Sequence, residues 1–363
     1  MANKKESTAP NVSIGADTEQ PSNVNNNSIS NNPPKNNSKL LETVSMAELY
    51  DTVYPSKPPL IDGLLYTGTY LFAGAPKLGK SFLMAQIAYH ISRGIPLWDY
   101  PARKAAVLYL ALEDDYRRLQ ERLYRMFGTD GADNLFFSVS AGNLGNGLDE
   151  QLQEFMKKHT DTRLIIIDTL QKVREVGGDN YSYANDYEII TKFKQFADSY
   201  GICILLVHHT RKQGSDDKFD MISGTTGLLG AADGAFLLQK EKRTGNAATL
   251  EISGRDQQDQ KLYLVRNTET LAWELEREDT ELWKEPPEPL LERIAEVLSS
   301  GSKAWEGTPT ELCGYLGVEM QANALTRKLN VNAGRLLNEY GIRYENNRNR
   351  NGRKVKFSLF KQA

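Results

Sequence analysis

Eight consecutive residues combine a glycine-rich segment with a lysine and a hydroxyl side chain at its end. In order they are Gly74, Ala75, Pro76, Lys77, Leu78, Gly79, Lys80 and Ser81. This order fits the pattern G-x-x-x-x-G-K-[ST], in which backbone N–H groups point at phosphate oxygens. Lys80 is expected to reach the β- and γ-phosphates, and the Ser81 hydroxyl to bind Mg²⁺. The segment therefore predicts a binding site for ATP with Mg²⁺.

The sequence on both sides of this segment predicts the elements that such a loop needs. An apolar run over residues 69–73 precedes it and is typical of a buried strand. After it, apolar residues recur on one helical face, namely Leu83, Met84, Ile87, Ala88 and Ile91. A helix over residues 81–92 would add the partial positive charge of its N-terminus to the phosphate site.

Two carboxylates follow apolar, strand-like runs and are candidates for catalysis. Asp168, beside a phosphate-binding loop, would hold Mg²⁺ through water. Glu113 is the candidate base that polarises the attacking water. The alternative for Glu113 is a helix cap, which is the role assigned to its neighbours Asp114 and Asp115.

Polar side chains also follow two further strand-like runs. His208 and His209 come after the run 202–207, where a neutral imidazole could donate to the γ-phosphate and sense hydrolysis. His208 is favoured for this role, and the other histidine for packing. Arg255 ends a run in the hairpin region and would stabilise charge on the phosphoryl group of a neighbouring subunit. An ion pair of Arg255 with Asp256 is the alternative.

Two basic segments are candidates for contact with DNA. Residues 211–226 contain glycines and basic side chains, and are predicted to form a loop that grips single-stranded DNA in a central channel. The C-terminal stretch carries the basic residues Arg343, Arg348, Arg350, Arg353, Lys354, Lys356 and Lys361. With Glu345 the only acid among them, they suit contact with duplex DNA. For each segment the alternative is an ordinary solvated surface.

Strand-like and helical segments alternate between about residues 60 and 240. Strands are predicted at 70–73, 106–112, 135–139, 164–168, 202–207 and 235–239, and helices at 81–92, 116–126, 148–158, 187–199 and 227–232. This alternation predicts an α/β fold with a mostly parallel sheet covered on both faces. The runs 248–253, 261–266 and 271–276 predict added antiparallel hairpins. Such sheets bind ligands at the carboxyl ends of their strands, where all the candidate residues are expected.

Composition divides the chain into four parts. Residues 1–44 are polar and rich in Asn, Ser and Pro, which predicts a disordered tail. The α/β domain is assigned to residues 45–276, and an acidic linker to residues 277–289. Residues 290–363 are predicted to form three helices and a hairpin, the order of a winged-helix domain. The second of these helices begins with a capping box at Thr308–Glu311.

Whole-chain properties narrow the class of protein. The net charge of −3 gives no global sign of nucleic-acid binding. Cys203 and Cys313 lie in apolar runs, and their spacing suggests neither a disulfide nor a zinc site. The apolar runs are shorter than a membrane helix needs, and the N-terminus lacks an apolar signal core. A cytoplasmic protein with no membrane contact is therefore expected.

Six segments together resemble a known family. They are GAPKLGKS, LALEDD, LIIIDTLQK, LLVHHTRK, ISGTTGLLGAADGAFLL and LEISGRD. Over residues 45–275 the chain resembles the RecA/DnaB-type, AAA_25-like ATPases of mobile elements, and within them RepA-like hexameric plasmid helicases and related phage proteins. The resemblance implies a RecA-like core, ATP hydrolysis at the subunit interfaces of a hexamer, and translocation on single-stranded DNA.

The same resemblance implies a role for each matching position. It assigns Lys80 and Ser81 to the phosphates and Mg²⁺, Asp168 to the Walker B acid and Glu113 to the catalytic glutamate. It assigns His208 and His209 to the sensor pair, and Arg255 to the arginine that acts in trans.

The winged-helix-like segment departs from the minimal RepA pattern and leaves three functions open. The first is a replicative helicase of a plasmid, phage or integrated element. The second is a regulator without motor activity that uses ATP to oligomerise on DNA. The third is a RecA-like recombination protein.

Overall fold

The structure is a computed structural model. It describes residues 41, 43–54, 57–174, 183–211, 218–222, 226–240, 242, 245–255, 257–279, 286–300, 304–349 and 352–359. The predicted polar tail lies outside the described residues up to residue 40, and so does the linker over 280–285.

A nine-stranded sheet forms the centre of the larger part of the described chain. Its strands are β1 (Gly68–Gly74), β2 (Ala106–Ala111), β3 (Leu135–Ser138), β4 (Thr162–Asp168), β5 (Cys203–His209), β6 (Gly234–Gln239), β7 (Ala247–Gly254), β8 (Gln260–Arg266) and β9 (Trp273–Glu278). Their order is β3-β2-β4-β5-β1-β6-β7-β8-β9. The pairs from β3 to β6 are parallel, and those from β6 to β9 are antiparallel. The predicted α/β fold with added hairpins is confirmed.

The helices of this part of the chain connect the parallel strands, apart from the first, which precedes β1. They are α1 (Met46–Asp51), α2 (Lys80–Arg93), α3 (Tyr116–Phe127), α4 (Leu148–Lys158), α5 (Leu170–Val173), α6 (Tyr183–Tyr200) and α7 (Thr226–Ala231). A 3₁₀ turn over Lys218–Met221 precedes α7. Within the described ranges, each helix is too short or too polar to cross a bilayer.

The two faces of the sheet carry separate apolar clusters, because successive side chains of a strand point to opposite faces. Phe72 of β1 shares one cluster with Leu83 of α2 and Trp273 of β9. Its neighbour Leu71 belongs to the other cluster, together with Phe193 of α6. Burial on both faces makes β1 apolar throughout and places its end next to α2.

The register of the parallel strands brings polar residues to one edge of the sheet. Gly74, which ends β1, lies beside His209 of β5. Ala111, which ends β2, lies beside Asp168 of β4. Helix α2 begins at Lys80 on this same edge.

Two strand boundaries differ from the sequence prediction and move candidate residues. β5 runs through His209, so both histidines lie within the strand rather than beyond it. The strand is longer because it keeps pairing with β1 as far as Gly74. β2 ends at Ala111, and Glu113 lies in the turn that follows.

The C-terminal segment has a sheet and an apolar cluster of its own. Its elements are α8 (Pro289–Ser300), β10 (Ala304–Gly307), α9 (Pro309–Leu316), α10 (Ala322–Val331), α11 (Ala333–Tyr340), β11 (Ile342–Asn349) and β12 (Gly352–Leu359). β12 pairs antiparallel with both β10 and β11. The predicted capping box of Thr308 and Glu311 begins α9. Leu291, Leu329 and Phe357 are central to the cluster.

Two elements of this segment differ from the prediction. Strand β10 has no counterpart in the sequence prediction, and the helical region predicted over 322–340 is divided at Asn332. The Asn332 side chain donates to the Lys328 carbonyl over 2.8 Å, and such a bond competes with regular helical bonding. The order is therefore helix, strand, three helices and hairpin. The winged-helix assignment stays a prediction.

Helix α1 packs against the C-terminal segment, although the sequence places it just before β1. Asn330 of α10 donates through Nδ2 to the Tyr50 carbonyl over 2.9 Å. Arg327 donates through Nε to the Asp51 carboxylate over 3.1 Å. Val53 packs on the apolar cluster of the C-terminal segment. The approach to β1 is therefore anchored by residues from the far end of the chain.

Candidate nucleotide-binding and catalytic site

The loop between β1 and α2 has the backbone geometry of an anion site. Lys77 and Gly79 have φ of 63° and 106°, both in the left-handed region. A Cβ on Gly79 would lie 3.1 Å from the Trp273 ring, so glycine also serves close packing there. Left-handed residues in such a loop turn successive N–H groups toward one concavity, and the first turn of α2 adds its own. The loop can therefore surround phosphate oxygens.

The Lys80 side chain is buried under this loop, and its ammonium turns toward the backbone of the loop. Its ammonium donates to the carbonyls of Gly74 and Ala75 over 2.8 and 3.0 Å. Burial lowers the pKa of Lys80, while Asp168 and Glu113 act to raise that pKa. The ammonium is thus confined near the loop, with two carboxylates close enough to influence its charge.

Asp168 is buried and bonded from two sides. The Tyr109 hydroxyl donates to Asp168 Oδ2 over 2.8 Å, and the Ser81 side chain is also hydrogen-bonded to the carboxylate. Burial raises the pKa of Asp168, and these two hydrogen bonds oppose that shift.

The Ser81 hydroxyl and the Asp168 carboxylate form a pair of oxygen donors, the ligand type that Mg²⁺ prefers. Across the described ranges, no cluster of three or more His, Cys, Asp or Glu side chains is placed to enclose a metal ion. A site with few protein ligands fits Mg²⁺, which keeps waters and takes phosphate oxygens. The residues present therefore fit the implied ion.

Glu113 is exposed in the turn after β2 and is hydrogen-bonded by the residue that follows β4. Thr169 donates through Oγ1 to Glu113 Oε1 over 3.1 Å. A helix cap was predicted for both of its neighbours, and only one of them has that role. Asp115 is the N-cap of α3 and accepts from the Arg118 amide. Asp114 instead accepts two hydrogen bonds from Arg122, at 2.7 and 3.1 Å. Glu113 is therefore available to a water molecule.

The histidine beside Lys80 is His209 rather than the favoured His208. His209 Nδ1 lies 3.2 Å from the Lys80 ammonium, whereas His208 is buried in β5. Because an ammonium has no acceptor, Nδ1 accepts and the ring proton lies on Nε2. Burial, followed by the charge of Lys80, lowers the pKa of His209 below its ordinary value of 6.5. Adjacent strand residues point to opposite faces, so the two histidines of the predicted pair face different sides of the sheet, and the sensor role of either one stays a prediction.

Arg255 lies at the opposite edge of the sheet, contrary to the expectation that every candidate lies at the carboxyl edge. Gly254 pairs with Gly234, the first residue of β6, so the end of β7 is at the amino edge of the parallel strands. The Arg255 guanidinium is exposed and donates to the Gly230 carbonyl over 2.8 Å. The antiparallel direction of β7 explains the difference. Asp256, the alternative partner, lies outside the described residues.

The predicted DNA loop is described only in part. Residues 212–217 and 223–225 lie outside the described residues. The Arg211 amide donates to the Met221 carbonyl over 2.7 Å, and Lys218 forms an ion pair with Glu251. This loop continues directly from β5, two residues after His209.

Several residues around the site carry no signal in the sequence. Tyr109 lies within an apolar strand, and Gln86 within the apolar helix α2. Gln86 exchanges two hydrogen bonds with the backbone of Trp273, at 2.9 and 2.8 Å. The Arg266 guanidinium lies 4.1 Å from the centre of the Phe82 ring, just beyond the loop. Pairing of β2 with β4 brings Tyr109 to the site, and packing of α2 against β8 and β9 creates the other two contacts between residues distant in the chain.

The strand order, together with the phosphate loop, the buried acid and the exposed glutamate at one edge, defines a RecA-like P-loop ATPase. A family model described as an AAA domain (AAA_25) matches residues 34–215, which is half of the chain. The chain belongs to this AAA family.

Solved structures with a similar fold include an isolated ATPase domain, a DnaB-like helicase and a KaiC-like protein. The isolated ATPase domain is 16% identical with a TM-score of 0.48, over 57% of this chain and 84% of that chain. The DnaB-like replicative helicase, solved for its interactions with primase, is 19% identical with a TM-score of 0.45, over 57% of this chain and 58% of that chain.

The KaiC-like protein PH0186 from Pyrococcus horikoshii OT3 is 14% identical with a TM-score of 0.43, over 62% of this chain and 99% of that chain. No curated protein matches the sequence.

Proposed function

We propose that this ATPase is a motor that acts on DNA, a helicase of the kind that replicates plasmids, phages or integrated elements. One observation carries the proposal: β5 joins the nucleotide site to the predicted DNA loop. His209 contacts Lys80, and the loop that starts at Arg211 follows two residues later. A change at the phosphate would move the start of that loop, because β5 is a short and rigid connection.

The residues of the site have distinct roles in this proposal. Lys80 donates to the phosphate oxygens, and the His209 Nε2–H faces the end of the phosphate chain. Glu113 orients the attacking water and accepts its proton, with Thr169 holding the carboxylate in place. Ser81 and Asp168 would hold Mg²⁺, which would supply positive charge to the phosphates. The guanidinium of Arg266, stacked on Phe82, suits the face of the base.

Oligomeric assembly is part of the same proposal. Arg255 lies at the amino edge of the sheet and cannot serve the phosphate site of its own chain. In a ring, and we propose a hexamer, its exposed guanidinium would enter the site of a neighbouring subunit and stabilise the developing charge.

The decisive experiment measures ATPase rate with and without single-stranded DNA, together with particle mass and strand separation. The helicase proposal expects stimulation by single strands, a ring-sized particle, and unwinding that depends on ATP. A particle that hydrolyses ATP but separates no strands under any of these conditions would contradict it.

A regulator without motor activity is a second candidate, favoured by the exposed basic side chains Arg348, Lys354 and Lys356 of the C-terminal hairpin. It expects ATP-dependent assembly on duplex DNA without unwinding. A recombination protein would instead form filaments and pair homologous strands, which electron microscopy and a strand-exchange assay distinguish.

A further inference from the structure

The C-terminal segment contains a positively charged groove that is open to solvent and has a volume of about 490 Å³. The first residues of α9, one face of α10 and the β11–β12 hairpin line it. Its charged lining residues are Arg327, Arg348, Arg353 and Asp51. The described lining residues thus carry three guanidinium groups against one carboxylate, a formal charge of +2.

Two of these arginines are placed where their charges repel. Arg348 and Arg353 lie directly opposite each other in the antiparallel hairpin. Like charges at such positions are destabilising unless an anion lies between or beside them. Arg348 has no ion pair with any residue in the described part of the chain.

Among the lining residues that the structure describes, the one carboxylate is that of Asp51 in α1. Asp51 Oδ1 lies 3.1 Å from Arg327 Nε and 3.9 Å from Arg353 Nη1. Asn330 secures this arrangement, because its Nδ2 donates to Tyr50 and its Oδ1 accepts from Tyr344 and Asn346 of the hairpin. Asp51 thus occupies the position of an anion between α10 and the hairpin, and is supplied by the segment that leads into β1.

We propose that this groove binds phosphates of a nucleic-acid backbone, and that Asp51 competes with those phosphates for Arg327 and Arg353. The inference rests on the proposed action on DNA. It adds a second site of contact with DNA, at which Asp51 competes with the phosphates. Exposed Lys354 and Lys356 continue the positive surface along the hairpin. A backbone with evenly repeated charges can follow both the groove and the hairpin, whereas a single small anion can fill only the groove.

Release of Asp51 would also remove the ion pairs that help to hold α1, and would leave the Asn330–Tyr50 hydrogen bond and the packing of Val53. The α1 segment precedes β1 by fewer than twenty residues, so DNA in the groove would change how the nucleotide-binding part is tethered to the C-terminal segment. DNA binding is therefore expected to loosen residues 45–54 while it protects α10.

The test uses the full chain and a labelled oligonucleotide, single-stranded and double-stranded, in fluorescence anisotropy at several salt concentrations. Arg327→Gln and Arg353→Gln should each weaken binding by roughly three- to tenfold and reduce the slope of log affinity against log salt by about 0.9. Asp51→Asn should tighten binding by about two- to fivefold, the size of an exposed ion pair. Arg343→Gln is the matched control, because Arg343 lies on the same hairpin, pairs with Glu345, and is outside the groove lining.

Equal losses in Arg343→Gln and the two groove variants would overturn the groove assignment, and so would an Asp51→Asn variant that binds no tighter than the wild type. Polyglutamate of equal charge that displaces DNA as well as an oligonucleotide does would overturn the commitment to phosphate. Hydrogen exchange that rises over residues 45–54 and falls over α10 on addition of DNA would support the competition; exchange that stays unchanged over 45–54 would contradict it.

Two further readouts separate this inference from the proposed motor. ATPase activity without DNA should be unchanged in all four variants, because none of them lies at the phosphate loop. If the wild type separates no strands while the variants show the expected order of DNA affinities, the helicase is refuted and the groove is supported. If the wild type unwinds DNA normally while all variants bind DNA with equal affinity, the groove alone is refuted.

Discussion

Tyr109 of β2 donates its hydroxyl to Asp168 of β4 over 2.8 Å, across two adjacent strands and beneath the phosphate loop. Both residues are buried, and burial is the main cause that raises the pKa of each. Tyr109 is thus a positioning residue, because it orients the carboxylate without reaching the site itself. Partners of this kind decide how well a carboxylate serves a metal ion.

Tyr109→Phe should therefore weaken the binding of Mg²⁺ at the nucleotide site by about tenfold to a hundredfold, the range seen when such a supporting hydrogen bond is lost. The measurement is ATPase rate as a function of Mg²⁺ concentration. Excess Mg²⁺ should restore most of the activity. Tyr100→Phe is the control, since it also removes a tyrosine–carboxylate bond, to Glu278 at 2.5 Å, away from the site. Equal Mg²⁺ dependence in the two variants would contradict the assignment.

His209→Gln and His208→Gln should differ sharply although the residues are adjacent. His209 contacts Lys80, and its loss should lower ATPase activity by about a hundredfold or more, with nucleotide binding largely retained. His208 is buried in β5, so its replacement should act on stability first. Parallel measurements of hydrolysis, nucleotide affinity and urea unfolding distinguish the two outcomes. Lost hydrolysis in His208→Gln alone would assign the sensor role to His208 instead.

Protonation of His209 should lower the ATPase rate at acidic pH. Its pKa lies below 6.5 because burial and then Lys80 disfavour the imidazolium. The unfolded chain therefore binds more protons than the folded one as pH falls below 6.5, and this histidine's contribution to stability declines there. Protonation also places a second cation against Lys80. Activity should fall on acidification in the wild type, and the residual activity of His209→Gln should lack that component; identical pH profiles would argue against it.

Gln86 should be important for stability through two hydrogen bonds to the Trp273 backbone. Gln86→Met keeps the side-chain volume but removes the side-chain acceptor of the buried Trp273 N–H, whereas the Trp273 carbonyl keeps the hydrogen bond from Trp98 Nε1 at 2.7 Å. The free energy of unfolding should fall by about 1–3 kcal/mol. Gln260→Met, which removes a single bond to Gly63, should cost roughly half as much. Urea denaturation measures both, and a smaller loss in Gln86→Met than in Gln260→Met would count against this role.

Arg255 should act only across a subunit interface. Arg255→Ala is expected to bind nucleotide normally and to lose hydrolysis by a factor of about a thousand or more. Mixing it with Lys80→Ala should recover part of the activity, because an intact phosphate loop then faces an intact arginine. Arg277→Ala, an exposed arginine paired with Asp279, is the control. Normal turnover in Arg255→Ala would remove the trans role altogether.

Much of the fold was determined by local sequence. The phosphate loop is contiguous, and its glycines, lysine and serine need only the strand before it and the helix after it. Apolar runs between helical segments predicted the parallel sheet, and acids at the ends of such runs predicted where Asp168 and Glu113 lie. These signals are local because each depends on the conformation of a few neighbouring residues.

Other features were decided by contacts between distant parts of the chain. Pairing of β5 with β1 as far as Gly74 placed His209 beside the phosphate loop, 3.2 Å from the Lys80 ammonium. Pairing of β2 with β4 made Tyr109 a partner of Asp168, and the direction of β7 placed Arg255 at the far edge. Apolar periodicity predicts that a strand exists, but it does not determine the last residue of the strand or which other strands pair with it. A shift of one residue turns a side chain to the other face, so only the tertiary structure settled which groups meet.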